Sequence, residues 1–94
     1  MKVVINGCFG GFGLSEQALN RIAELGGPAY DWSEARENGY RSHPAVVQAV
    51  EELGDKANGR YAELAVIEVP DDVEWDIDEY DGLESVHEKH RVWR

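Results

Sequence analysis

The stretch that most limits the fold is "KVVINGCFGGFGLS", residues 2 to 15. Val3, Val4 and Ile5 are β-branched and favour extended backbone. They do not alternate with polar residues, so the strand they predict is buried on both faces. Shortly afterwards a helix must begin. Ser15 suits its N-cap, with Leu14 and Leu19 placed to close over the first turn as a hydrophobic staple. Gly7, Gly10, Gly11 and Gly13 lie between, together with Phe9, Phe12 and the single cysteine, Cys8. A buried strand feeding a helix through a glycine loop requires covering layers, and the rest of the chain has to supply them.

Ala18, Leu19, Ile22, Ala23 and Leu25 form an apolar stripe at helical spacing, stopped by Gly26, Gly27 and Pro28. Residues 28–42 have no clear period and read as a long loop carrying Tyr30, Trp32 and Tyr40. Pro44 suits the first turn of a second helix, capped by Ser42 or His43, with Val46, Val47, Val50 and Leu53 facing inward and Gly54 at its end. "YAELAVIEVP" gives the second strand, closed by Pro70. Val73, Trp75 and Ile77 then alternate with Glu74, Asp76 and Asp78, which predicts a third strand with an acidic outer face. Asp81-Gly82 is a hairpin signal, so residues 83–93 are expected to return as a fourth strand, a short helix being the alternative.

The order is β-α-α-β-β-β. Two helices between the first two strands permit a right-handed parallel crossover. The expectation is a single α+β domain over residues 1–94, with a mixed four-stranded sheet and two helices on one face.

Charge narrows the partners. Nineteen acidic residues face nine Lys and Arg, a formal net charge of −10. Such a surface repels phosphate backbones and anionic lipid, so neither nucleic acid nor membrane is expected as a partner. One cysteine makes no internal disulfide. The start has a single basic residue and too short an apolar run for a signal peptide, and no stretch spans a bilayer; a cytoplasmic location follows as an expectation. A chain of 94 residues buries a modest share of its surface, which makes a homo-oligomer the expected state.

Three regions carry possible chemistry. In the glycine loop, backbone N–H groups around Gly10 and Gly11 are candidates for cradling an anion, with Phe9 and Phe12 as stacking faces. The alternative is a tight connection whose phenylalanines cap the core. The loop lacks a Lys-Ser/Thr pair and the dinucleotide glycine spacing, so neither phosphate motif applies. Cys8 has no evident activating neighbour. From Asp71 to Glu84 there are eight acids and no base; the spacing does not fit an EF-hand, and alternation makes these acids a solvated strand face or a mimic of nucleic-acid charge. The tail "HEKHRVWR" gathers positive charge. His87 and His90 lie on opposite sides of a strand and do not share a metal. Arg91 and Trp93 suit a phosphate and a base, or an ion pair and a core indole.

Two motifs carry a resemblance. Ile5 to Ser15 follows the pattern IN-x-C-[FY]-G-G-F-G-L-S, while Val69 to Trp75 reads V-P-D-D-V-E-W, Glu79 to Val86 reads E-Y-D-G-x-E-x-V and His90 to Trp93 reads H-R-x-W. The chain thereby resembles a family of small bacteriophage proteins. The resemblance implies work in the host cytoplasm, against a host-defence protein or a nucleotide-derived defence signal such as a cyclic nucleotide. The expected function is a non-catalytic sponge for such a signal. Its ligand-binding residues would be Phe9, Gly10, Gly11, Phe12, Tyr80, Arg91 and Trp93, with no metal and no cofactor. The alternative is an acidic decoy that binds a basic host-defence protein. No nucleophile–base spacing favours an enzyme.

Overall fold

Strand β1 (Lys2–Asn6) and strand β2 (Leu64–Glu68) pair antiparallel, with Val4 opposite Val66. The computed structural model describes residues 1–30, 38–71 and 74–88. Between the two strands lie helices α1 (Glu16–Glu24), α2 (Asn38–Arg41) and α3 (Pro44–Leu53), then a 3₁₀ turn (Gly54–Ala57). Strands β3 (Trp75–Tyr80) and β4 (Leu83–Glu88) form a separate antiparallel hairpin. The domain is therefore α+β, but its strands make two two-stranded sheets and not the expected mixed four-stranded one.

The parallel crossover fails because of contacts between the two ends of the helical excursion. The helical excursion closes on itself at its base: Ser15 N–H donates to the Ala57 carbonyl and Gly59 N–H to the Gly13 carbonyl, both at 2.9 Å. Leu14 and Asn58 form a bridge beside them. The chain leaves and re-enters side by side, so β2 starts where β1 ended, and Gly7 N–H meets the Glu63 carbonyl at 2.7 Å. A strand that starts there can only run back.

The helix ends follow the sequence. Ser15 Oγ accepts from Ala18 N–H at 3.1 Å, and His43 Nδ1 caps α3 by accepting from Ala45 N–H at 3.1 Å. The end of the expected loop 28–42 is the one-turn helix α2; Trp32 lies outside the described residues.

Sandwiching explains the unbroken apolar run in β1. Val4, with Leu64 and Val66, faces α1 and α3 and joins Ala18, Ile22, Val46, Ala49 and Val50. Val3 and Ile5 point the other way and meet Val69, Trp75, Ile77 and Val86. Helices, β1–β2 ribbon and hairpin are thus three layers, and the strand is buried on both faces although its partner is antiparallel. The hairpin does not extend the ribbon. It lays its apolar face across it. At its tip Asp81 and Gly82 have φ of +50° and +92°, the pair of positive values that a type I′ turn requires.

Candidate functional site

The hairpin is fastened to the rest of the chain by a buried polar cluster. Arg41, at the end of α2, is 2% exposed and Glu84, in β4, is 8% exposed. Their forks meet in two places, Nη1 to Oε1 at 2.6 Å and Nη2 to Oε2 at 2.9 Å. Arg41 Nη1 also donates to the Val4 carbonyl at 3.2 Å, and Glu84 Oε1 accepts from Asn6 N–H at 2.8 Å. Val4 and Asn6 turn these backbone groups away from β2. The ion pair therefore caps the outer edge of β1 as a peptide group of a neighbouring strand would. The Arg41 guanidinium sits 3.6 Å above the centre of the Phe12 ring, a cation–π contact.

Asn6 completes the cluster. Its side chain is fully buried. Nδ2 donates to the carbonyls of Cys8 and Gly82, each at 2.6 Å, and Oδ1 accepts from Glu63 N–H at 2.8 Å. One amide thus ties together the glycine loop, the start of β2 and the hairpin tip. Cys8 donates weakly from Sγ to the Tyr61 carbonyl at 3.2 Å, a structural placement for the thiol.

These contacts account for the glycines. A side chain on Gly10 would collide with the Tyr61 backbone. A Cβ on Gly82 would lie 2.6 Å from both the Gly11 nitrogen and the Phe9 carbonyl oxygen. The hairpin tip is thus seated directly on the loop, and the Gly11 amide faces the chain's own Gly82. Gly10 itself is exposed and Gly11 half-buried.

The aromatic residues divide. Phe12 is half-buried against the helical core with Arg41 on its ring, whereas Phe9 is 64% exposed and Tyr80 72% exposed. The structure brings Phe9, Gly10, Gly11 and the hairpin end bearing Tyr80 together. Arg91 and Trp93 lie outside the described residues. Tyr61, 66% exposed, adds an aromatic the sequence reading did not select, with Arg60 5.6 Å from its ring centre.

The outer face of the hairpin is acidic. Asp76 and Asp78 are exposed, as are Glu74 before them and Asp81 in the turn; Glu79 is exposed too, but it lies opposite Glu84 on the other face and accepts from Gly82 N–H. A depression of about 410 Å³ at this end is lined by Asp78, Glu79, Tyr80, Leu83, Glu84 and Ser85. Glu84 is neutralised by Arg41, which leaves Asp78 and Glu79 as the exposed carboxylates at this depression, a charge that favours a cationic occupant over a phosphate. Asp71 is less available: the Met1 ammonium bonds to it and holds its carboxyl below the usual range. His87 Nε2 lies 2.9 Å from Ser85 Oγ and 3.2 Å from Asp78 Oδ2. Both neighbours use the same ring nitrogen, so the imidazole cannot take a proton from Ser85 while Asp78 orients it through the other. No group of three or more metal-ligating side chains is present among the described residues. No helix of the described chain is long and apolar enough to cross a membrane.

Tyr40 lies beside the ion pair. Its ring meets Tyr30 edge-on, with centroids 5.9 Å apart. Its hydroxyl has no hydrogen-bond partner among the described residues. Burial, reinforced by Tyr30, pushes it up to about 12.

The sequence reading missed Asn6, Arg41 and Glu84. For Glu84 a signal existed: it stands two residues before Val86 and so shares the apolar face of the hairpin. A carboxylate there demands a buried cation. Comparison with protein families, curated proteins and solved structures finds no match to this chain.

Proposed function

We propose that the protein acts by binding, presenting the acidic outer face of its hairpin to a basic protein surface. If the resemblance to bacteriophage proteins holds, that partner would be a host-defence protein. The observation that carries this reading is the division of the hairpin. On the inner face the buried Glu84 is consumed by Arg41 and Glu79 accepts from Gly82 N–H, while Asp76, Asp78 and Asp81 stand in solvent on a hairpin seated firmly on the glycine loop. Among the described residues of that outer face, His87 is the one side chain able to carry positive charge. Carboxylates held in fixed positions steer a cationic partner and lose little entropy on contact.

The test is retention on an immobilised lysine-rich peptide. Substituting Asp76, Asp78 and Asp81 by Asn together should release the protein at far lower salt. A control carrying Glu16→Gln, Asp55→Asn and Glu63→Gln removes equal charge elsewhere and should be retained like the parent. Equal loss from both sets would reduce the effect to net charge and remove the reading.

A second reading, the nucleotide sponge, is favoured by one observation: Phe9 and Tyr80 are both exposed on segments that touch where Gly82 meets the Phe9 carbonyl. Two open rings suit a base. Arg91 and Trp93 would supply the charge and the second stack, within an oligomer. Calorimetry with cyclic nucleotides and ADP-ribose decides it, and absence of heat at tens of micromolar protein rejects it.

A further inference from the structure

We propose that the outer edge of β3 is a strand-addition site that accepts an extended peptide with lysine or arginine at alternate positions. The inference rests on the acidic-face reading above and names how that face engages its partner.

The hydrogen-bonding phase of the hairpin comes from its turn. A two-residue type I′ turn makes its flanking residues exchange backbone bonds, and here those are Tyr80 and Leu83. Two steps back along the ladder the bonded pairs are Asp78 with Ser85 and Asp76 with His87. Ile77 and Glu79, lying between them, turn their N–H and C=O groups away from β4. No described residue outside β3 hydrogen-bonds to those groups. Ile77 N–H is met by the adjacent Asp76 Oδ1 at 2.9 Å, a local contact that an incoming carbonyl can replace. Of the two strands β4 is the one lying against β1, with Glu84 on Asn6 N–H, which leaves β3 on the far side.

The side chains beside this edge define the guest. A strand added to β3 continues both faces of the hairpin. On the outer face its residues stand next to Asp76, Asp78 and Tyr80; on the inner face they extend the wall formed by Trp75 and Ile77, with Glu79 at its turn end. The fitting sequence alternates cationic with apolar residues. Charge argues against a second copy of β3 as the occupant, because it would set Asp76 and Asp78 against their own like.

The probe is an end-capped peptide of about eight residues alternating lysine and valine, near the usual strand length. A second peptide carries the same residues with its central amides N-methylated, which keeps the charge and removes the strand donors. Both are titrated into the full chain and followed by amide NMR at about 20 mM salt, where screening is weak. The unmethylated peptide should slow hydrogen exchange at Ile77 and Glu79, and methylation should weaken binding at least about tenfold. On the protein side, Glu79→Pro removes an edge donor and keeps the ladder to β4, at the cost of the Glu79 contact with Gly82 N–H, and should lose binding, while Glu79→Gln, whose Oε1 can still accept there, retains it. Should Glu79→Pro fold poorly, the methylated peptide decides alone. Equal binding of the two peptides, with shifts at Asp76 and Asp78 but no protection at Ile77 and Glu79, overturns strand addition and leaves the acidic-face reading standing. No binding of either peptide overturns both.

Discussion

The two faces of the β3–β4 hairpin use the same functional group in opposite ways. Glu84 points inward, is 8% exposed and spends its oxygens on Arg41 and Asn6 N–H. Asp76 and Asp78, on the outer face, are exposed and are not joined to any lysine or arginine among the described residues. A buried carboxylate without a partner is too costly to persist, so the inner one has to be fully engaged. An exposed one costs little and remains available. The hairpin separates a carboxylate that builds the fold from carboxylates that stand in solvent, the charge proposed above to meet a partner. Four experiments test that separation.

The largest effect is expected from Arg41→Met. It leaves Glu84 buried and uncompensated, and strips the Val4 carbonyl of its donor. The loss should be about 3–5 kcal/mol, the range for breaking one member of a buried pair. Urea unfolding followed by tryptophan fluorescence measures it. The double variant Arg41→Met with Glu84→Leu should recover most of the loss. It should not recover all of it, because Val4 C=O and Asn6 N–H then lack the partners that stood in for a strand, at about 1–3 kcal/mol for a group left unsatisfied. Near-wild-type stability of Arg41→Met would mean that the pair does not hold the hairpin.

The seat of the hairpin comes next. Gly82→Ala introduces a Cβ 2.6 Å from two backbone atoms at φ +92°. Left-handed strain and overpacking together should cost about 2–4 kcal/mol. Gly26→Ala separates the two causes. Gly26 has φ +78° but nothing within 4 Å of the added Cβ, so it should show the conformational part alone, about 1–2 kcal/mol. If the two variants lose equally, the contact with the glycine loop contributes nothing.

These residues also show what could be read from the chain. Period-two alternation located β3 and its acidic face, Asp81-Gly82 gave the turn, and Ser15 marked the start of α1, because each depends on backbone preferences within a few residues. The pairing of β1 was not legible in that way. Its apolar run reports burial on both faces, and either a parallel sheet or a sandwich between helices and hairpin satisfies that. The contacts that choose between them, Ser15 to Ala57 and Gly59 to Gly13, join residues far apart in sequence. Arg41 was hidden for the same reason: it looked like one charge in a mixed-charge loop, and its meaning depends on Glu84. In the opening loop the glycines were visible, but not whether they open space for an anion or for the chain's own backbone.

Tyr40 sharpens the comparison from a third direction, as a buried polar group beside the ion pair whose hydroxyl lacks a partner among the described residues. Burial raises it from an ordinary 10.0 to about 12. The folded state therefore holds this proton more tightly than the unfolded chain does. Stability tied to it is intact below pH 10 and is lost as pH rises toward about 12; the loss is on the order of 2 kcal/mol. In Tyr40→Phe that alkaline loss should disappear, and at neutral pH the variant should match or slightly exceed the parent. Parallel alkaline denaturation curves for the two proteins would show that Tyr40 ionises as freely folded as unfolded.

The smallest effect on stability belongs to the outer face. Asp76→Asn with Asp78→Asn should change unfolding free energy by no more than about 0.5 kcal/mol, as surface substitutions away from structural features do. Relief of repulsion within a chain of net charge −10 offsets the lost charge in the contacts of Asp76 with Ile77 N–H, which an Asn Oδ1 can still accept, and of Asp78 with His87. The same pair should cost most of the affinity for a lysine-rich peptide. Arg41→Met should show the reverse, a large loss of stability with peptide affinity retained in whatever fraction stays folded. A loss of several kcal/mol from the aspartate pair would mean that the outer carboxylates also build the fold. The division between the two faces would then fail, and with it the reason for reading the outer face as reserved for a partner.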